Sequence, residues 1–215
     1  LLDASLVAER LAALRRRIAD AGGREVRLVG VTKTLGPESW SIARTLGIDA
    51  VGENYAQEVA VKAAAVPISE RPPVHFIGHL QANKVRLLAR IVDVWQSVDR
   101  LSLVQEIVKR QSNPVILIQV NTTGEEGKFG CRPEEVANLV ASARDVGCVV
   151  DGLMTMGPTD QDVARTRAAF GMLRGLADEV GVRERSMGMS GDLELAIEAG
   201  STMVRVGSAL FGERS

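Results

Sequence analysis

Lys33 ends the run Val26–Thr32, seven mostly apolar and β-branched residues. A charged ammonium at the end of a buried strand is costly. Desolvation lowers its pKa and leaves a neutral, nucleophilic amine, which can condense with an aldehyde to form an imine. The plainer alternative is a lysine whose stem lies on apolar surface while its ammonium reaches water. Two further segments bear on the choice. Ser190-Gly191-Asp192 lies between an apolar run and a helical pattern, and Gly207-Ser208 follows the apolar run Met203–Val206. Glycines let backbone N–H groups approach an anion, serine hydroxyls add donors, and helix N-termini favour negative charge, so both segments suit a phosphate. Read plainly, Ser190 or Asp192 is an N-cap and Gly207 a turn residue. Arg205 stands inside the last apolar run, between Val204 and Val206. Its guanidinium cannot shed a proton and needs an acceptor. A carboxylate is one candidate, and the pyridine nitrogen of a ring lying across the site is another. A permanent cation there disfavours protonation of that nitrogen and makes the ring a poorer electron sink.

Other polar groups are less specific. His79 can donate to a ligand or cap a helix, and Asn54 leaves the same choice open. Met154 can pack in the core or against a ring face. Lys128 lies in the glycine-rich segment Thr123–Gly130 beside Glu125 and Glu126, and reads as a solvated, mobile lysine.

These residues need a scaffold that gathers strand ends. Eight strands are expected, at Val26–Thr32, Ala50–Gly52, Val74–Gly78, Val92–Val98, Pro114–Asn121, Val149–Met154, Ser186–Met189 and Met203–Val206. Helical patterns separate them, at Pro37–Leu46, Tyr55–Ala65, Gln81–Ile91, Arg100–Arg110, Pro133–Val146, Asp160–Val180 and Gly191–Ala199. A further helix, Ala4–Ala19, precedes the first strand, with Leu6, Leu11, Leu14 and Ile18 near helical spacing. Gly22, Gly47, Gly147, Gly181 and Gly200 follow helical patterns, where left-handed C-caps are expected. Pro37 and Pro133 suit first helical turns. Apolar strands alternating with amphipathic helices imply a parallel sheet covered on both faces. Eight units are the count for a (β/α)8 TIM-type barrel, here a single domain over residues 1–215 with an extra N-terminal helix. An open doubly wound sheet is the alternative. In the barrel, functional residues gather at the C-terminal strand ends, and phosphate sites follow strands seven and eight.

Composition narrows the class. The net charge is −1, from 26 basic and 27 acidic residues, which gives no electrostatic case for nucleic acid or an anionic membrane. No stretch approaches the roughly 20 apolar residues that span a bilayer. Leu1 to Asp20 carry charges at helical spacing and are not expected to be a signal peptide. Cys131 and Cys148 fit neither a zinc ribbon nor a disulfide framework, so a reducing cytoplasm is expected, and no metal site.

Six segments occur in order: Val31-Thr-Lys-Thr34, Gly52-Glu-Asn-Tyr55, the ten residues from His75 to Lys84, Gly152-Leu-Met-Thr-Met-Gly157, the seven from Ser186 to Asp192, and the eight from Arg205 to Gly212. Together they closely resemble the pyridoxal phosphate homeostasis protein family, whose members look like the barrel domain of bacterial alanine racemase standing alone. The resemblance implies a pyridoxal 5′-phosphate (PLP) binding protein without established turnover, one that buffers or delivers PLP, with apo-forms of PLP enzymes as partners. By position it implies that Lys33 is the Schiff-base lysine. Ser190, Gly191, Gly207 and Ser208 match its phosphate loops, Arg205 the residue facing the pyridine nitrogen, and Asn54, His79 and Met154 the pocket lining. Many relatives have a second lysine where this chain has Leu35, and Thr where it has Ser208.

Two enzyme readings compete with the carrier. A racemase needs bases on both faces of the substrate α-carbon. Alanine racemases take the second, a tyrosine, from an added β domain of a partner subunit. This chain has one tyrosine, Tyr55, and ends at Ser215 soon after the last strand, so only weak racemase activity is expected, and a monomer. A Schiff-base aldolase acting on a sugar phosphate would also use a barrel lysine and a phosphate site, but would be colourless.

Overall fold

The computed structural model describes residues 2–212; Ser215 lies outside the described residues. Helix α1 (Ala4–Asp20) comes first. Then follow β1 (Arg27–Val31), α2 (Glu38–Thr45), β2 (Ala50–Glu53), α3 (Ala56–Ala65), β3 (Val74–Phe76), α4 (Ala82–Leu88), β4 (Val94–Val98), α5 (Leu101–Val108) and β5 (Val115–Gln119). The second half runs α6 (Val136–Asp145), β6 (Val149–Met154), α7 (Val163–Glu179), β7 (Glu184–Ser186), α8 (Leu193–Glu198), β8 (Met203–Val206) and α9 (Ser208–Phe211). The strands close into a barrel in sequence order. β8 pairs with β1 in parallel, Val206 opposite Gly30, which rules out the open sheet.

Local chemistry accounts for most boundaries. Asp3 caps α1, its carboxylate accepting from the N–H groups of Ser5 and Leu6. The buried stripe of α1 is Val7, Leu11, Leu14 and Ile18, an i, i+4, i+7, i+11 series. Leu6, expected on that stripe, is 42% exposed because Val7 keeps the phase. The five glycines expected at C-caps all take positive φ, from 63° to 96°. Pro37 stands just before α2, and Pro133 opens a 3-10 turn, Pro133–Glu135, ahead of α6. The short helix α9 was not expected, because four residues carry no readable period.

The seventh strand departs most from expectation, since Ser186–Met189 was predicted and Glu184–Ser186 forms it. The charged triplet Arg183-Glu184-Arg185 hides it. At the N-terminal end of the barrel, buried Glu184 meets Arg27 at 2.6 Å and accepts from Thr202 Oγ1 at 2.7 Å. Beyond Ser186 the chain turns out at Gly188, where φ is 100° and a Cβ would lie 2.5 Å from that of Ala196.

Alternate strand residues face the barrel interior and the helix layer. The main apolar core, including Leu28, Val51, Phe76, Trp95, Ile116 and Val204, lies between strands and helices. Val29, Ala50 and Met203 form a separate small cluster inside the barrel. By this alternation Lys33 continues the inward face of Val29, and Arg205 shares that of Met203. Glu53 points the other way, towards the helices. Barrel interiors are usually filled by branched aliphatics, yet this one also holds buried His75, Gln96, Ser186 and Arg205.

Candidate functional site at the C-terminal mouth of the barrel

The backbone is held on both sides of half-buried Lys33. Before it, the Thr32 carbonyl accepts from Lys62 Nζ at 2.6 Å and from the Leu35 N–H at 3.1 Å. After it, Thr34 has φ +66°, a conformation that β-branched residues rarely adopt and that costs on the order of 1–3 kcal/mol. The Thr34 N–H donates to Glu58 Oε2 at 2.7 Å, which holds that turn. Beneath it lies a charged knot. Glu53 Oε1 accepts from Thr32 Oγ1 (2.6 Å), Trp40 Nε1 (2.9 Å) and Lys62 Nζ (2.6 Å). Lys62 and Glu53 side chains are 2% and 0% exposed, so each neutralises a charge that would otherwise be stranded. Leu35 is partly buried against the main core.

Arg205, 4% exposed, donates from Nη1 to Ser186 Oγ and from Nη2 to the Thr155 carbonyl, both at 2.7 Å. Both acceptors are neutral, and among the described residues it makes no ion pair. Burial pulls its pKa down to about 10, opposed by the charge of Asp192, so it remains a cation at neutral pH. The expected acceptor, carboxylate or ring nitrogen, is therefore not supplied by the acids among the described residues. Ser186 Oγ in turn donates to Gln96 Oε1 at 2.7 Å, and Gln96 Nε2 lies 2.7 Å from His75 Nδ1 and 3.0 Å from Met203 Sδ. Desolvation, then Arg27, lowers the His75 pKa to about 4 against the pull of Glu184, leaving a neutral imidazole.

The loops after β7 and β8 both run into helix N-termini. Asp192 stands at the N-cap position of α8 without a side-chain capping bond. Its Oδ1 instead accepts from the Met189 N–H at 2.6 Å and closes the loop around Ser190 and Gly191. Gly207 precedes α9, and Ser208 begins it, exposed. A cavity of about 320 Å³ adjoins the first loop, lined by Gly157, Gln161, Met189 and Gly191 among others. A larger one, about 770 Å³, opens at the opposite end of the barrel beside Arg27, Glu184 and Arg185. Three of its arginines are already paired, Arg27 and Arg183 with Glu184 and Arg185 with Asp178 outside the lining, so the mouth is the better candidate.

Asn54 Oδ1 is buried at the mouth with no hydrogen-bond partner among the described residues. Met154, 1% exposed, pairs in register with Gln119 and Ser186. His79 does not cap α4; it is exposed and stacks on Phe129, ring centroids 3.9 Å apart. Lys128, expected in solvent, is tied down: its Nζ donates to the Gly157 carbonyl at 2.6 Å and lies 2.5 Å from Glu125. The hydrogen bond from Lys128 is the main reason the Glu125 carboxyl is held down to about 2. Arg165 (3.3 Å) and the Thr159 N–H also reach Glu125, fastening the segment after β5 to that after β6.

Residues 2–215 match the family model described as alanine racemase, N-terminal domain. The chain is 40% identical to the pyridoxal phosphate homeostasis protein of Aquifex aeolicus, covering 96% of this chain and 97% of that one. This chain belongs to the pyridoxal phosphate homeostasis protein family. The human member of that family is 35% identical over 94% of this chain and 82% of its own. PipY of Synechococcus elongatus, in its structure with PLP bound, superposes with a TM-score of 0.84 at 29% identity, covering 96% of this chain and all (100%) of that one. Alanine racemase of Clostridium difficile shares the fold, with a TM-score of 0.80 at 15% identity over 99% of this chain and 58% of that one. No described helix is long and apolar enough to cross a membrane.

Several residues of this family member escaped the sequence reading: Glu53, Lys62 and Trp40 under the Lys33 turn, and Gln96, Ser186 and Thr155 around Arg205. One of them left a trace. Lys62 interrupts the buried face of α3 formed by Ala56, Val59 and Ala63, and a lysine on an apolar stripe calls for a buried acid.

Proposed function

We propose that this protein binds PLP at the C-terminal mouth of its barrel and serves mainly to hold and release it. The observation that carries the reading is Arg205, a buried cation whose hydrogen-bond partners among the described residues are neutral oxygens. Its remaining donors suit a ring nitrogen. Orphaned Asn54 Oδ1 is a second group that a ligand could satisfy. The chain's residues thus fit the cofactor, and the PLP-bound PipY structure supports the same choice.

Lys33 would hold the cofactor through a Schiff base, on a turn fixed by Lys62 and Glu58. Backbone N–H groups at Ser190, Gly191, Gly207 and Ser208, with the two serine hydroxyls, would bind the phosphate. Asn54, His79 and Met154 would line the pocket. When bound, PLP supplies an electrophilic aldehyde carbon and an electron-withdrawing ring. Arg205, charged at neutral pH, disfavours protonation of the ring nitrogen and so weakens that withdrawal. This favours storage over carbanion chemistry, with delivery to apo-forms of PLP enzymes by a cytoplasmic monomer. Lys33→Ala tests the reading, since the yellow colour of the purified protein should disappear. D/L-alanine interconversion at a rate near that of a true racemase would overturn the carrier role.

A further inference from the structure

Four polar side chains cross the interior of the barrel from strand to strand. Arg205 of β8, Ser186 of β7, Gln96 of β4 and His75 of β3 are joined by successive contacts of 2.7 Å. All four are buried, at 4%, 0%, 0% and 4% exposure. A chain of this kind is expensive to bury unless every member is satisfied. Its proton directions follow from one end. Arg205 can only donate, so the Ser186 oxygen accepts and its hydroxyl proton goes to Gln96 Oε1. That fixes the Gln96 amide with its nitrogen towards His75, whose Nδ1 must accept. Met203 Sδ, 3.0 Å from the same nitrogen, offers a weak second acceptor. Each group therefore has one role, and Ser186 cannot turn its lone pair away from Arg205 without stranding its own proton.

We infer that Gln96, buried in the barrel core, is a positioning residue for the ring-nitrogen end of the cofactor, acting through Ser186 on Arg205. The inference rests on the reading that Arg205 faces that nitrogen. Gln96 fixes the Ser186 hydroxyl, and Ser186 with the Thr155 carbonyl fixes the plane of the guanidinium. Without the amide, Ser186 rotates to seek another acceptor and Arg205 keeps a single anchor.

The test compares PLP with 1-deaza-PLP, in which a C–H replaces the ring nitrogen, by calorimetric titration of the full-length apoprotein. Gln96→Met, close in volume but without the amide, should weaken PLP binding about fivefold, the scale of one neutral hydrogen bond, and leave 1-deaza-PLP binding unchanged. Gln96→Glu, which still accepts from Ser186 and can accept from His75 once that ring carries its proton on Nδ1, should restore the preference for PLP. If Gln96→Met does not fold, Ser186→Ala breaks the same link and should give the same selective loss. Equal weakening of both ligands, or of neither, overturns the inference. Arg205→Met separates this from the underlying reading. If it too affects both ligands equally, the assignment of Arg205 to the ring nitrogen fails. If it affects PLP alone while Gln96→Met does not, only the role of Gln96 fails.

Discussion

Burial of His75 should make the protein lose stability in mild acid, well above the pH at which its carboxylates respond. The imidazole pKa falls from 6.5 to about 4 on folding. A base whose folded pKa lies below its unfolded value binds fewer protons in the native state. Stability is therefore complete above pH 6.5, declines as the pH falls through the window from 6.5 to about 4, and levels off below it. Between pH 7 and pH 5 the loss amounts to about 2 kcal/mol. For a chain of this size that lowers Tm by roughly 4–8 °C. The carboxyls of Glu125, Glu135 and Glu184, all held below 4.5, contribute stability that is lost as the pH falls below that value, so they leave the interval between pH 7 and pH 5 largely clear. The assay is thermal unfolding at pH 7 and pH 5 for the wild type and for His75→Asn, whose Oδ1 can still accept from Gln96. The variant should lose most of the difference between the two pH values. If both proteins lose equal stability between pH 7 and pH 5, burial of His75 is not responsible for the loss.

Lys62→Met should destabilise by about 3–5 kcal/mol, measured by urea unfolding, because it strands the Glu53 carboxylate; adding Glu53→Gln should recover part of the loss. Arg165→Ala and Lys128→Ala should speed amide exchange in residues 123–130 with little change in Tm, since they untie Glu125 from exposed or partly exposed partners. Cys131 and Cys148 have thiols pushed up by burial to about 12 and about 11, so neither should react with a thiol reagent in the native protein at pH 8 and both should react in denaturant.

The barrel was legible because its two periods are strong. Val149–Met154 and Met203–Val206 read as strands with the observed bounds, and the glycines after the helices marked their ends. What failed to read was charge serving structure. Arg183-Glu184-Arg185 looks like solvated loop, yet Glu184 is buried because Arg27 and Thr202, distant in sequence, satisfy it. Lys128 looked mobile for the same reason, its partner Gly157 lying 29 residues away. Lys33 and the two glycine-serine segments stand out at strand ends, and Arg205 within an apolar strand, because their types are unusual there. Gln96 and Ser186 sit within strands as ordinary polar residues, and only closure of the barrel sets them between Arg205 and His75.

The most direct measurement is borohydride reduction of the PLP-loaded protein followed by peptide mapping. Reduction fixes the imine as a stable pyridoxyl-lysine and shows which amine carried the cofactor. The pyridoxyl group is expected on Lys33, in the peptide that contains Thr32 and Thr34. A label on Lys128 or Lys62, or none at any lysine, would contradict it.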